Sequence, residues 1–276
     1  MADQNTIAAI KTLRDRTGAG MMDCKKALEA TGYDIEKSID YLREKGIAKQ
    51  AKRAGRTAAE GLALVKAEGN KAALIEVNCE TDFVSASDKF QEYAQFVLNY
   101  VLENEPASIE AAREGTLTMH DTVALATGEK TEFRRMALLH KEDGQGFGTY
   151  IHQKGRIAVC VLLAKEDEEF AHHLAMHIAD SGAIYVNLED VPASEREREL
   201  GIAKAEVAAD EKLQNKPQQV KDQIAEKKVD KALSQYCLLK QKFLLDPSKS
   251  VEQVLAEKGN KVISFVRYQV GEGLTA

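Results

Sequence analysis

The chain has no apolar run approaching the roughly 18 residues that a membrane-spanning helix requires, although it is 276 residues long. Its opening residues, Met1-Ala2-Asp3-Gln4-Asn5, lack the basic flank and apolar stretch of a secretory leader. They also lack the Arg-rich, acid-poor composition of a transit peptide. The expected location is the cytoplasm. Cysteine is sparse. Cys24, Cys79, Cys160 and Cys237 lie far apart and form no C-x-x-C pair. Disulfide frameworks and zinc sites usually bring two ligands close in sequence, so buried, reduced thiols are expected instead. Catalytic signatures are missing too: no G-x-S-x-G or H-E-x-x-H occurs. Gly144-x-Gly146-x-Gly148 leads into a strand-like stretch, not the helix of a dinucleotide site. Gly18-Ala19-Gly20 precedes a helix but lacks the Lys-Ser/Thr of a P-loop, and reads as a tight interhelical turn. No enzymatic activity, cofactor or metal site is expected.

Charged residues make up 30% of the chain and the net charge is -6. An acidic chain binds nucleic acid poorly unless its cations segregate. They do so in part: Arg43, Lys45, Lys49, Lys52, Arg53 and Arg56 face only Glu44 across residues 43–56. A solvated helix end and linker is the favoured reading of this stretch, and an RNA or acidic-surface contact the lesser one. No DNA or membrane partner is expected. His173 and His177 stand four apart on a predicted helix, with His172 adjacent and Glu169 a turn earlier. That spacing can chelate zinc, but no third ligand is specified, so packed or capping imidazoles are preferred.

Residues 5–46 predict three short helices. Ile7, Ile10 and Leu13 give the first an apolar face, Cys24, Ala27 and Leu28 mark the second, and Asp34 caps a third carrying Ile35, Ile39 and Leu42 before Gly46. Residues 47–59 are small and basic, and read as a linker. Residues 61–67 and 72–78 predict a hairpin about Glu68-Gly69-Asn70-Lys71, followed by a helix with Phe90, Tyr93, Ala94, Val97 and Val101 on one side. The pattern recurs. Phe147 to His152 and Ile157 to Leu163 flank Gln153-Lys154-Gly155-Arg156, and a helix with Phe170, Leu174, Ile178 and Ala179 follows. Asp88-Lys89-Phe90 and Glu168-Glu169-Phe170 open the two helices alike, so a duplicated α+β core is expected. Residues 194–235 are rich in Glu, Lys, Ala and Gln with sparse apolar positions, broken by Gln214-Asn215-Lys216-Pro217. Two antiparallel helices with a thin seam, projecting as an arm, fit that pattern. Ser250-Val251-Glu252-Gln253 resembles a capping box, and Val262 to Val270 predicts a returning strand.

Two loops stand out. Met21-Met22 follows the Gly-rich turn, as half-buried core or as an adaptable contact surface. Asn78-Cys79-Glu80-Thr81-Asp82-Phe83-Val84 lies between a strand and a helix. An N-cap with a core aromatic is the simpler reading of it; a wedge offered to a partner is the alternative.

The stretch Leu13-Arg14-Asp15-Arg16-Thr17-Gly18-Ala19-Gly20-Met21-Met22-Asp23-Cys24-Lys25-Lys26-Ala27-Leu28 resembles the N-terminal signature of the bacterial translation elongation factor Ts family. Glu76-Val77-Asn78-Cys79-Glu80-Thr81-Asp82-Phe83-Val84 resembles its second signature. Ala175-Met176-His177-Ile178-Ala179, Asp246-Pro247-Ser248-Lys249 and Val270-Gly271-Glu272-Gly273 follow in family order, so the resemblance covers nearly the whole chain. It implies a guanine-nucleotide exchange factor for elongation factor Tu. The implied architecture is a UBA-like three-helix module and linker over 1–54, a core N-subdomain over 55–146 and a core C-subdomain over 147–276. The last includes a protruding helical hairpin at about 194–235 and a C-terminal module over 246–276. The resemblance places Thr81, Asp82, Phe83 and Val84 in a loop that intrudes beside the partner's magnesium and nucleotide, with Met21, Met22 and His152 as further contacts. The chain departs from the family pattern in three places. The Gln153-Lys154-Gly155 loop is longer by one residue, Ser181-Gly182-Ala183 lacks a proline, and Ala225-Glu226-Lys227-Lys228 lacks a Gly-Arg pair. An RNA-binding translation accessory protein is the alternative function.

Overall fold

A computed structural model describes the backbone of residues 2–274 and the side chains of residues 6–46 and 52–274. The leader reading of residues 1–5, Lys49 of the basic segment and the last two residues of the C-terminal module lie outside the described side chains. Ten α-helices and eight strands among the described residues make the chain α+β. None of the helices is long and apolar enough to cross a membrane. The chain forms two compact units, Met1–His140 with Ile151–Ala158 and Tyr268–Ala276, and Lys141–Tyr150 with Val159–Arg267.

The first unit opens with helices α1 (Ala2–Thr17), α2 (Met21–Ala30) and α3 (Ile35–Arg53). Leu13, Ala19, Cys24, Ala27, Leu28 and Leu42 form their shared core. Ile7 does not join it and is 66% exposed, so the predicted inward stripe of α1 begins only at the half-buried Ile10. Asp34 caps α3 as expected, its carboxylate accepting from the Lys37 amide at 3.1 Å. The expected stop at Gly46 does not occur, and much of the supposed linker is helix as far as Arg53. A glycine inside a helix weakens it only by about 1 kcal/mol. Here a later helix (Ile109–Thr127) lies alongside, with Leu125 packed on the core of the N-terminal helices.

Strands β1 (Glu60–Glu68) and β2 (Lys71–Cys79) pair antiparallel in the predicted hairpin, with Leu64 opposite Ile75. The chain then forms a single turn, α4 (Asp82–Ser85), followed by α5 (Asp88–Asn104), α6 (Ile109–Thr127) and β3 (Glu132–His140). β3 pairs antiparallel with β2, giving a sheet in the order β1-β2-β3. Phe90, Tyr93, Val97 and Val101 of α5 pack with Ile75 and Val77 of β2, Val123 of α6 and Phe133 of β3. Neither α6 nor β3 was anticipated from the sequence. Only Ala112, Thr116, Val123 and Ala124 of α6 are buried, which leaves no clear stripe to read.

Next come β4 (Gly146–His152), β5 (Ile157–Leu163) and α7 (Glu168–Ser181). Phe90 and Phe170 occupy the third position of α5 and α7 respectively, and both are buried. Helices α8 (Ala193–Ala209) and α9 (Gln218–Ser234) pack on each other through Ala203, Val207, Ala225, Val229 and Leu233. Arg196 bonds Asp230 at 2.7 Å and Lys228 bonds Glu206 at 2.7 Å beside that seam. β6 (Lys242–Phe243), β7 (Asp246–Ser250), α10 (Val251–Glu257) and β8 (Val262–Gln269) complete the chain. The Ser250–Gln253 capping box forms as read, and β8 joins a sheet in the order β4-β5-β8. In each three-stranded sheet the second hairpin strand is central and a strand from later in the chain lies outside it.

Candidate partner-binding site

Strand β2 carries the candidate loop, and its end is rigidly held. The fully buried Glu76 carboxylate accepts from Arg134 Nη1 at 3.0 Å, Arg135 Nε at 2.5 Å, Asn78 Nδ2 at 3.1 Å and the Gly271 amide at 2.8 Å. Burial opposes ionisation there, but the Gly271 amide and the Arg135 guanidinium outweigh it and hold the carboxyl below its ordinary range. Arg135 also lies over the Tyr268 ring, 4.2 Å from its centroid. Three residues beyond Glu76, Cys79 donates its thiol to the Thr81 carbonyl at 3.2 Å. Burial, reinforced by the Glu129 charge, pushes that thiol up to about 12, so Cys79 is a packed donor and not a nucleophile.

The chain then turns. Thr81 is the N-cap of α4, its hydroxyl accepting from the Val84 amide at 3.4 Å. Val84 packs inward against the core of the first unit. Phe83 points the other way and is 84% exposed. The simpler expectation, a capping Asp82 beside a core aromatic, is therefore wrong on both counts. Thr81 does the capping, and a single helical turn that commits Val84 to the core cannot bury Phe83 on the same side. The Asp82 carboxylate is exposed and has no hydrogen-bond or ion-pair partner among the described residues.

A clasp that the sequence did not reveal holds this turn. Glu129 Oε2 accepts from the amides of Glu80 at 3.1 Å and Thr81 at 3.0 Å, while Oε1 accepts from the Thr81 hydroxyl at 2.6 Å. In return, Glu80 Oε1 accepts from the Lys130 amide at 2.6 Å. Arg56 bonds Glu80 at 3.2 Å, and Lys130 Nζ donates to the Arg56 carbonyl at 2.9 Å. Burial works against the Glu80 anion, but the Lys130 amide and the Arg56 guanidinium prevail and keep its pKa low.

Met21 and Met22 open α2 and are 59% and 61% exposed, so they form surface and leave the core to Cys24, Ala27 and Leu28. His152 ends β4 and is half-buried. After it, Gln153, Lys154 and Gly155 all have positive φ, at 48°, 55° and 95°. Glycine suits the third position because a φ of 95° strains any residue that carries a side chain. Thr81 to Val84 thus share one cap and turn, while the methionines and His152 occupy two other elements of the same unit.

Of the clustered histidines, His177 is a packed core residue. His177 is buried, with Nε2 bonded to Gln241 Oε1 at 3.0 Å and Nδ1 accepting from the Leu244 amide at 3.2 Å. That assigns the proton to Nε2, and burial lowers the pKa. No group of three potential ligands that could hold a metal occurs among the described residues.

Exposed apolar side chains thus stand on α2 and on the braced α4 turn, while the four thiols and His177 are buried. The family description "Elongation factor TS" matches residues 80–272. Elongation factor Ts of Levilactobacillus brevis is 42% identical over 99% of this chain and 94% of the relative. The Limosilactobacillus reuteri protein of that name is 43% identical over 97% and 92%. That of Limosilactobacillus fermentum is 44% identical over 96% and 91%. The chain belongs to the elongation factor Ts family, and a nucleotide-exchange role in translation elongation goes with it.

Proposed function

We propose that this chain releases GDP from elongation factor Tu by inserting the Asp82–Phe83 turn beside the partner's magnesium and nucleotide. The observation that carries this reading is a large ring, 84% exposed, at the tip of a turn whose backbone is pinned from behind. Exchange requires differential binding: a factor that holds the nucleotide-free partner more tightly loosens the nucleotide by the same ratio. A 10⁴-fold shift takes about 5.5 kcal/mol, and burial of one phenylalanine contributes about 1.5–3 kcal/mol. Phe83 therefore acts with other contacts. Met21 and Met22 supply adaptable apolar surface on the module of residues 1–54, and His152 a polar contact at the end of its hairpin. Magnesium is a hard ion held by oxygen. Disturbing its ligand or water shell removes the charge bridge to the diphosphate, and Asp82 assists by engaging neighbouring groups without keeping the ion. The protein performs no bond-making step in this scheme, and it works in the cytoplasm.

The RNA-binding alternative loses ground because Arg56 is paired with Glu80 and Lys45 lies over the Tyr41 ring, 5.5 Å from its centroid. The deciding experiment loads elongation factor Tu with labelled GDP and follows release with and without the protein. Substoichiometric amounts should accelerate release; an unchanged rate would sink the proposal.

A further inference from the structure

We propose that Glu129 is a positioning residue for the exchange turn: its carboxylate locks the cap of α4 so that Phe83 is presented outward in one orientation before any partner arrives. The inference rests on the exchange reading above and adds a residue to it. A four-residue helix has almost no stability of its own, because nucleation fixes several dihedrals for a single hydrogen bond. The intrinsic cap is weak here, with Thr81 Oγ1 3.4 Å from the Val84 amide. The only side chain of α4 packed on the core cluster is Val84. Left to these, the turn would fluctuate, and the bound complex would have to order it at the expense of the exchange step.

Glu129 removes that freedom. It takes both backbone amides that lead into the turn and also the capping hydroxyl, at 3.1, 3.0 and 2.6 Å. Hydrogen bonds to a carboxylate are about twice as strong as neutral ones. By accepting from the Thr81 hydroxyl, Glu129 also aims that oxygen's lone pairs at the Val84 amide. The carboxylate is itself well founded. It lies one residue beyond Gly128, the left-handed C-cap of α6, whose amide bonds Ala124. The reciprocal bond from the Lys130 amide to Glu80 closes the clasp at 2.6 Å. α6 also seats Leu125 against the N-terminal helices, so the turn and the Met21-Met22 surface are registered to one element.

The test uses the full chain with Glu129→Ala and the conservative Glu129→Gln. In the free protein, amide hydrogen exchange at Glu80 and Thr81 should accelerate in Glu129→Ala. With elongation factor Tu, the saturating rate of GDP release should fall by at least about tenfold, the effect of losing even one of the three charge-assisted bonds. The half-saturating concentration, set by the other contacts, should stay within about twofold. Glu129→Gln keeps one acceptor oxygen and should recover most of the rate. In a Phe83→Ala background, Glu129→Ala should change the rate little further, because it acts through that ring. Unaltered amide protection would overturn the proposal. So would a lower melting temperature with a normal saturating rate per folded molecule, or an undiminished tenfold loss in the Phe83→Ala background. If the wild-type chain releases no GDP, the exchange reading fails by itself, and the amide measurement still decides whether Glu129 orders the turn.

Discussion

Replacing Phe83 by alanine distinguishes a ring that supports the fold from one held out for a partner. The ring is 84% exposed, so about one-sixth of its surface is covered in the free protein. Full burial of a phenylalanine is worth about 1.5–3 kcal/mol, so the fold should lose at most about 0.5 kcal/mol. For a chain of this size that lowers the melting temperature by roughly 1–2 °C. The uncovered surface corresponds to about 1.3–2.5 kcal/mol if the complex buries it, or roughly 10- to 70-fold in coupling. Phe90 provides an internal control, since it is 0% exposed at the start of α5 and its truncation should destabilise by about 3–5 kcal/mol. Thermal unfolding and stimulated GDP release should be measured on both variants. The expected result is a stable Phe83→Ala protein with slow exchange and an unstable Phe90→Ala protein whose folded fraction exchanges normally. A Phe83→Ala protein that exchanges at the wild-type rate would refute the wedge.

Glu76→Gln should destabilise by about 3 kcal/mol, the lower end for breaking a buried pair, because Arg134 and Arg135 keep some exposure. The folded pKa of Glu76 is depressed, so its contribution is complete above the unfolded carboxyl pKa of about 4.3 and is lost as pH falls through the folded value. Urea midpoints at several pH values should converge for variant and wild type in acid; a constant gap would contradict this. Met21→Ala combined with Met22→Ala should weaken binding to elongation factor Tu about 5- to 10-fold by calorimetry, with an unchanged melting temperature, since both side chains are mostly exposed in the free protein. Replacing residues 198–232 with a short linker should lower the melting temperature by only about 2–4 °C, because Ala203 and Val207 pack on Ala225 and Val229 and leave together. Loss of cooperative unfolding would show that the arm supports more than itself.

Features built from neighbours in sequence were legible without coordinates. The β1–β2 and β4–β5 hairpins, the Asp34 cap and the Ser250 capping box each depend on a few adjacent residues. Their conformations follow from local hydrogen bonding and alternation. All candidate residues except His152 came from two linear motifs. What the motifs could not tell was which way a side chain faces. Whether Met21, Met22 and Phe83 were core or surface depended on what already filled the adjacent core, and Cys24, Leu28 and Val84 fill it.

Helix α3 ran past Gly46 because a helix 79 residues later packs beside it through Leu125, and no window around Gly46 contains that neighbour. Glu129 was invisible for the same reason. In sequence it is one acid in a polar loop, and its partners Glu80 and Thr81 stand 49 and 48 residues away. The sequence alone determined the two hairpins, the Asp34 and Ser250 caps and the family. Tertiary packing alone decided the outward face of α4 and the carboxylate that braces it, because hydrogen bonds between distant residues exist only once the sheet and α6 have brought them together.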